Sequence, residues 1–175
     1  MSTLVDHQIK HWAHFGGITP FDMDLINPAS INLRIGTAVQ VEAESGRLQE
    51  IDLRDFTAAH PFWVQPGEWL LTHTAELITL PPNMEAEVCL RSSAARAGWD
   101  HCLAGYVDPG WSGKLTLEFQ NVRRYKQLPL YPGQQLCQLR LRYLSTDPVT
   151  HYGQTGRYQG DQSVNACQDP TICHD

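Results

Sequence analysis

Two groups of side chains in this chain have types and spacings that could do chemistry. The first lies in Ala104 to Asn121, AGYVDPGWSGKLTLEFQN, where Asp108 opens an Asp-Pro-Gly turn and Glu118 follows ten residues later. Glu118 stands among Leu115, Leu117 and Phe119. Apolar surroundings raise the pKa of a carboxylate, so that it can take and return a proton near neutral pH. Strict alternation equally places Glu118 opposite Leu117 and Phe119, on the solvent side of an edge strand. The second group is Arg91, Ser92, Ser93 and Arg96. Two guanidinium forks, two hydroxyls and the N–H groups of a helix start together suit a polyphosphate. Alone, the same residues also read as a surface helix capped by serine, with solvated arginines.

Metal chemistry finds less support. Zinc sites that act on nucleobases carry His-x-Glu followed by Pro-Cys-x-x-Cys, and neither element is present. His101-Cys102 and Cys173-His174 are adjacent pairs rather than ligand spacings, and Cys167 and Cys173 are too far apart for a zinc knuckle, so no zinc is expected. The eight histidines are scattered and read as surface or interface residues. Trp63, Trp69, Trp99 and Trp111 read as core or subunit-contact residues rather than a stacking platform.

The elements that must position these groups are mostly strands. Leu4 to Phe15 has helical spacing and stops at Gly16-Gly17. Ile26 to Gly36 alternates as a strand, and a second strand is expected around Ala38 to Val41. Ser45 to Asp55 reads as a turn and a charged, exposed excursion. Phe62–Val64, Trp69–Thr72, Glu76–Leu80, Val88–Leu90, Leu128–Tyr131 and Leu136–Leu144 are short β-like runs separated by Gly and Pro. Ser92 to Gly98 is a short helix inserted among them. Beyond Pro148 the chain is too polar to stay packed alone and is expected to order on a ligand. Many short strands with two brief helices predict a mainly β fold, closed or sandwich-like.

The length of 175 residues suits one domain, 1–175, with 149–175 as a flexible lid or tail. A net charge of −6 and a pI near 5.7 argue against a nucleic-acid backbone as partner. The amino terminus has no signal-peptide pattern, and no apolar run suits a membrane span, so a cytoplasmic protein is expected. Five cysteines without paired spacing read as free thiols, with no cross-link assumed.

Five separated segments, in order, resemble the dCTP deaminase family, part of the trimeric dUTPase-like superfamily. They are NPASINLRIG from Asn27, RSSAARAG from Arg91, AGYVDPGWSGKLTLEFQN from Ala104, PGQQLCQL from Pro132 and YGQTGRYQGDQ from Tyr152. The resemblance implies a distorted β-barrel or jelly-roll and a homotrimer with active sites between subunits. It implies Glu118 as the catalytic residue, activating water for attack at cytosine C4 without a metal at that step. Nucleotide contacts are implied for Arg91, Ser92, Ser93, Arg96, Ala104, Asp108, Thr116, Leu117, Gln138, Tyr152, Arg157 and Gln162. Mg2+ is implied on the triphosphate rather than in a protein cage. The substrate would be dCTP or dUTP, with dTTP as an inhibitor. Gly105-Tyr106 resembles the Gly-aromatic pair of members that carry dCTP through to dUMP, and other members release dUTP or act on dUTP alone; a catalytically silent nucleotide-sensing trimer is a further alternative. Asn32, Leu103, Arg157 and Asp161 depart from the usual Asp, Thr, Lys and Gln of that pattern. Leu103 is the departure expected to matter most, by removing a hydroxyl beside the catalytic water.

Overall fold

The computed structural model describes residues 2–173; His174 lies outside them. Antiparallel strands dominate, and the helices are few and short. One sheet orders Tyr106–Val107, Met84–Leu90, Cys137–Tyr143, Ser30–Leu33 and Ile26–Asn27, with Ser2–Thr3 also pairing on Cys137–Tyr143. A second orders Trp99–Asp100, Thr116–Asn121, Trp69–Thr74, Ile35–Glu42 and Leu48–Asp52. Two smaller sheets complete the frame. Inward residues such as Ile31, Leu33, Val39, Leu70, Phe119 and Leu139 belong to one apolar core shared by both large sheets. This mainly β architecture agrees with the alternation read in the sequence.

Helix Asp6–Trp12 buries Ile9 and Trp12, as its spacing predicts, and continues into a widened turn, Ala13–Gly17. The second strand expected around Ala38 is present and longer than expected, Ile35 to Glu42, in a different sheet from Ser30–Leu33 and with a register shift between Ile35 and Val39. At Gly36 the ring of His73 lies so close that an added Cβ would meet it at 2.1 Å. His73 Nε2 accepts from the Thr37 N–H at 3.2 Å, and Nδ1 donates to the Thr74 carbonyl at 2.8 Å. Those two partners fix the neutral tautomer, and burial holds the ring's pKa below its usual value.

Four expectations are corrected. The charged run holds a strand, Leu48–Asp52, paired with Ile35–Glu42; an edge strand needs one partner only, and its charges keep the free edge soluble. The helix Ser92–Ala97 is entered from Arg91, Ser92 is its first helical residue, and no side chain caps its start. The tail is packed: Val164 is buried and Tyr152 lies against Trp111, with ring centroids 5.3 Å apart. Backbone hydrogen bonds from Tyr152 to Pro109, Lys114 to Asp161 and Gly160 to Ser112 substitute for the aliphatic side chains the tail lacks. Finally, Cys167 and Cys173 form a disulfide, leaving Cys89, Cys102 and Cys137 free. Among the described residues no helix is long and apolar enough to cross a membrane.

Candidate active site

Thr116–Asn121 lies between Trp69–Thr74 and Trp99–Asp100, so it is an inner strand rather than an edge. Leu115, Leu117 and Phe119 point into the core. Thr116 and Glu118 take the opposite face, as alternation requires. That face is not open solvent. It floors a cavity of about 430 Å³ walled by Trp69, Leu71, Val88, Trp111 and Leu115 and roofed by Tyr152, Tyr158, Asn165 and Ala166 of the tail. Glu118 is thus opposite the core yet withdrawn from water, which joins the two sequence readings.

Glu118 Oε2 is buried without a hydrogen-bond partner. Loss of solvent raises the carboxyl's pKa, offset in part by a hydrogen bond from its own backbone N–H. Asp108, from the Asp-Pro-Gly turn, faces the same cavity, and burial raises its pKa too. Asp161 is the third carboxylate on the wall. Among the described residues no lysine or arginine lines this cavity, so an anionic ligand must find its cation elsewhere.

Ala104, Tyr106, Asp108, Thr116, Glu118 and Tyr152 come together here out of the residues singled out in the sequence. Others do not. Leu117 is in the core, and Gly105 is buried against the next strand, where an added Cβ would meet the Val88 carbonyl oxygen at 2.3 Å. Arg91 and Ser93 line a separate cavity with Tyr131, Gln134 and Gln135, while Ser92 and Arg96 are exposed on the same helix. Gln138 accepts a hydrogen bond from the Ser30 hydroxyl at 2.9 Å. Arg157 pairs with Asp169 at 2.9 Å, and Gln162 donates to the Gly160 carbonyl at 3.0 Å.

Leu103 is turned outward: its side chain is 95 % exposed and lines no part of the cavity, and Cys102 and Leu103 both adopt left-handed backbone with φ of 48° and 60°. The missing hydroxyl is therefore not a gap in the cavity wall of this chain. Sequence reasoning missed Trp69, Trp111, Tyr158, Asn165 and Ala166 as wall residues. Trp111 sits inside the motif and was legible there. Tyr158 likewise sits inside the tail segment that carries the resemblance, whereas Asn165 and Ala166 carry no local signal, because only the tail's docking on Ser112, Lys114 and Thr116 brings them to the site.

Tyr106, at the cavity lip, donates its hydroxyl proton to Glu85 Oε2 at 3.0 Å. Burial and the Glu85 carboxylate push the phenol's pKa up to about 12. Glu85 is in turn reached by Arg142, which also bonds Glu87 at 2.6 Å across paired strands. Among the described residues no three His, Cys, Asp or Glu side chains converge as metal ligands.

A carboxylate with raised proton affinity in a partly enclosed cavity, in a chain that also bears guanidinium and hydroxyl groups on a separate cavity, suits hydrolytic chemistry on a small anionic substrate. Comparison with known proteins agrees. The family model described as dCTP deaminase-like matches residues 3–144. A protein of Dictyoglomus thermophilum named dCTP deaminase, dUMP-forming, is 35% identical over 164 residues, covering 85% of this chain and 84% of the relative. A Mycobacterium avium protein of the same name is 38% identical over 164 residues, covering 83% of each. The crystal structure of 2'-deoxycytidine 5'-triphosphate deaminase from Agrobacterium tumefaciens superimposes with a TM-score of 0.67 at 23% identity, covering 81% of this chain and 48% of that one, so the chain spans about half its length and shares its fold. By the extent of the family match and the identity to these relatives, the chain belongs to the dCTP deaminase-like family.

Proposed function

We propose that the protein deaminates dCTP at cytosine C4 and carries the product on to dUMP and diphosphate. The observation that carries this reading is Glu118: a half-buried carboxyl with raised pKa and a free Oε2, on the wall of a cavity large enough for a nucleoside. Two relatives named as dUMP-forming dCTP deaminases support it.

In the proposed reaction Glu118, ionised, takes a proton from water as the oxygen adds to C4. It passes that proton to N3, then carries the C4 hydroxyl proton to the exocyclic nitrogen; the C4–N bond breaks, ammonia leaves and a carbonyl remains. Asp108 meets the sugar hydroxyl, backbone atoms near Ala104 help hold the water, and Thr116 lines the base and sugar. Tyr152, Arg157 and Gln162 belong to a lid, 149–175, that closes the site. A second water attacks the α-phosphorus and expels diphosphate, with Gly105-Tyr106 favouring this step.

Arg91, Ser92, Ser93 and Arg96 supply the phosphate contacts. In one chain they stand apart from the Glu118 cavity, which has no cation of its own. That separation supports a homotrimer in which a neighbouring copy brings its Arg91 cluster to each site, with dTTP as an inhibitor in the same place. Mg2+ is carried on the triphosphate, as Mg–dCTP, as the resemblance implies. The reading places the protein in the cytoplasm, serving deoxynucleotide metabolism.

Incubation with Mg–dCTP and resolution of the nucleotides tests the assignment. Ammonia, dUMP and diphosphate in equal amounts are expected. Unchanged dCTP overturns the reading, and accumulating dUTP overturns its second step alone.

A further inference from the structure

Between the buried face of Ser30–Leu33 and the start of helix Ser92–Ala97 runs a chain of side-chain amides whose direction is fixed at both ends. Arg91 Nη1 donates to the Gln135 backbone carbonyl at 3.0 Å and to Gln135 Oε1 at 3.2 Å. A guanidinium has donors only, so the Gln135 amide must turn its oxygen toward Arg91. Asn32 Nδ2 donates to that same Oε1 at 3.0 Å, which leaves Asn32 Oδ1 to accept from Asn27 Nδ2 at 2.9 Å. Asn27 Nδ2 also reaches the Leu25 carbonyl at 3.5 Å, an acceptor-only group. Donor-only and acceptor-only ends thus set the orientation of three amides between them.

We propose that Asn32 is a positioning residue for Arg91, acting through Gln135; this rests on the reading that Arg91 meets the substrate's phosphates. Asn32 is 6 % exposed and held on strand Ser30–Leu33, paired with Cys137–Tyr143, so it is a fixed anchor. Gln135 is half-buried in the turn preceding that second strand, and Arg91 is half-buried at the rim of the cavity it lines. Two acceptors from one residue hold Nη1, leaving the rest of the guanidinium fork for an incoming phosphate.

A carboxylate in place of the Asn32 amide has no donor for Gln135. The Gln135 amide would have to reverse, placing Nε2 against both that carboxylate and Arg91 Nη1. Arg91 would then lose its side-chain acceptor and meet a donor in its place, or turn toward the new carboxylate. Both outcomes take the guanidinium away from phosphate. Asparagine, one of the departures from the family pattern, is the residue type this amide chain requires.

The test is steady-state kinetics with Mg–dCTP on the full chain. Asn32→Asp and Gln135→Leu should each raise KM roughly tenfold, the scale of a lost hydrogen bond to a charged group, with kcat within about twofold. The double variant should show no more than the larger single effect, because both act on one contact. A merely structural role would lower the active fraction and so kcat, without this KM effect. Effects on KM that multiply, or a fall in kcat at constant KM, would overturn the proposal. Should Asn32→Asp not fold, Gln135→Leu decides alone, and an unchanged KM sinks the relay. Arg91→Ala separates the two levels of inference. If it raises KM while Asn32→Asp and Gln135→Leu do not, the relay fails and the phosphate reading stands. If Arg91→Ala leaves KM unchanged, the phosphate reading itself is wrong.

Discussion

Tyr106 and Glu85 are joined by a 3.0 Å hydrogen bond that ties the lip of the Glu118 cavity to the charged pairs on Met84–Leu90 and Cys137–Tyr143. Tyr106→Phe keeps the ring and removes the donor, leaving the nearly buried Glu85 carboxylate with Arg142 alone. A loss of about 1–2 kcal/mol is expected in thermal or urea unfolding. In an alkaline absorbance titration of the wild-type protein, one phenol should ionise near pH 12 and be absent from the variant.

Glu118→Gln should lower ammonia release from dCTP by on the order of a thousandfold, the reach of a proton-transfer group, while dCTP binding persists in a fluorescence or calorimetric titration. The variant should also be the more stable protein near neutral pH. The folded-state pKa of Glu118 is raised, so its contribution to stability is fully present below the unfolded value and is lost as pH rises through the folded value. Glutamine has no such loss. A gain in stability is expected near neutral pH, vanishing under acid conditions, from unfolding curves at several pH values.

The same shift sets the acid limb of the rate. Glu118 must be ionised to accept the proton from water, so deamination should fall as pH drops through a value above the ordinary glutamate range. A kcat/KM profile whose acid limb sits at the ordinary value of 4.5 would contradict the raised pKa of Glu118.

The tail supplies Tyr152, Tyr158, Asp161, Asn165, Ala166 and Cys167 to the cavity. A chain ending at Asp147 should therefore keep its folded β spectrum and lose roughly a hundredfold in kcat/KM with dCTP, since water then reaches Glu118. Trp111, uncovered by loss of the Tyr152 ring, should shift its emission to longer wavelength.

Three thiols should titrate in the unfolded, unreduced chain and five after reduction, because Cys167 and Cys173 are paired. In the folded protein Cys102 should react first, being the exposed thiol of the three. Five thiols without reductant would contradict the pairing.

What could be read from the sequence was what a single strand or turn encodes. Leu117 and Phe119 against Glu118 gave the strand, its buried face and the candidate carboxylate, because alternation is a local property. Leu48–Asp52 was hidden because an edge strand with charged, exposed residues has no inward stripe to betray it. The roof over Glu118 was hidden for a different reason. Asp161 and Asn165 reach the site through backbone groups and one threonine hydroxyl, contacts that any polar segment could make. Asn32 looked like a mere departure from a pattern until its amide was seen between Asn27 and Gln135.

The strand bearing Glu118 is paired along Thr116–Gln120 with Trp69–Thr74, at its Gln120–Asn121 end also with Trp99–Asp100, and rooted in the core by Leu117 and Phe119, whereas the roof is held by scattered backbone bonds over few apolar contacts. In hydrogen–deuterium exchange the amides of Leu117 and Phe119 should exchange only with global unfolding, and those of 158–166 through local opening. The floor of the site and its cover thus belong to opposite ends of the molecule's stability scale, so solvent and solutes can be admitted over the carboxylate without disturbing the strand that aims it.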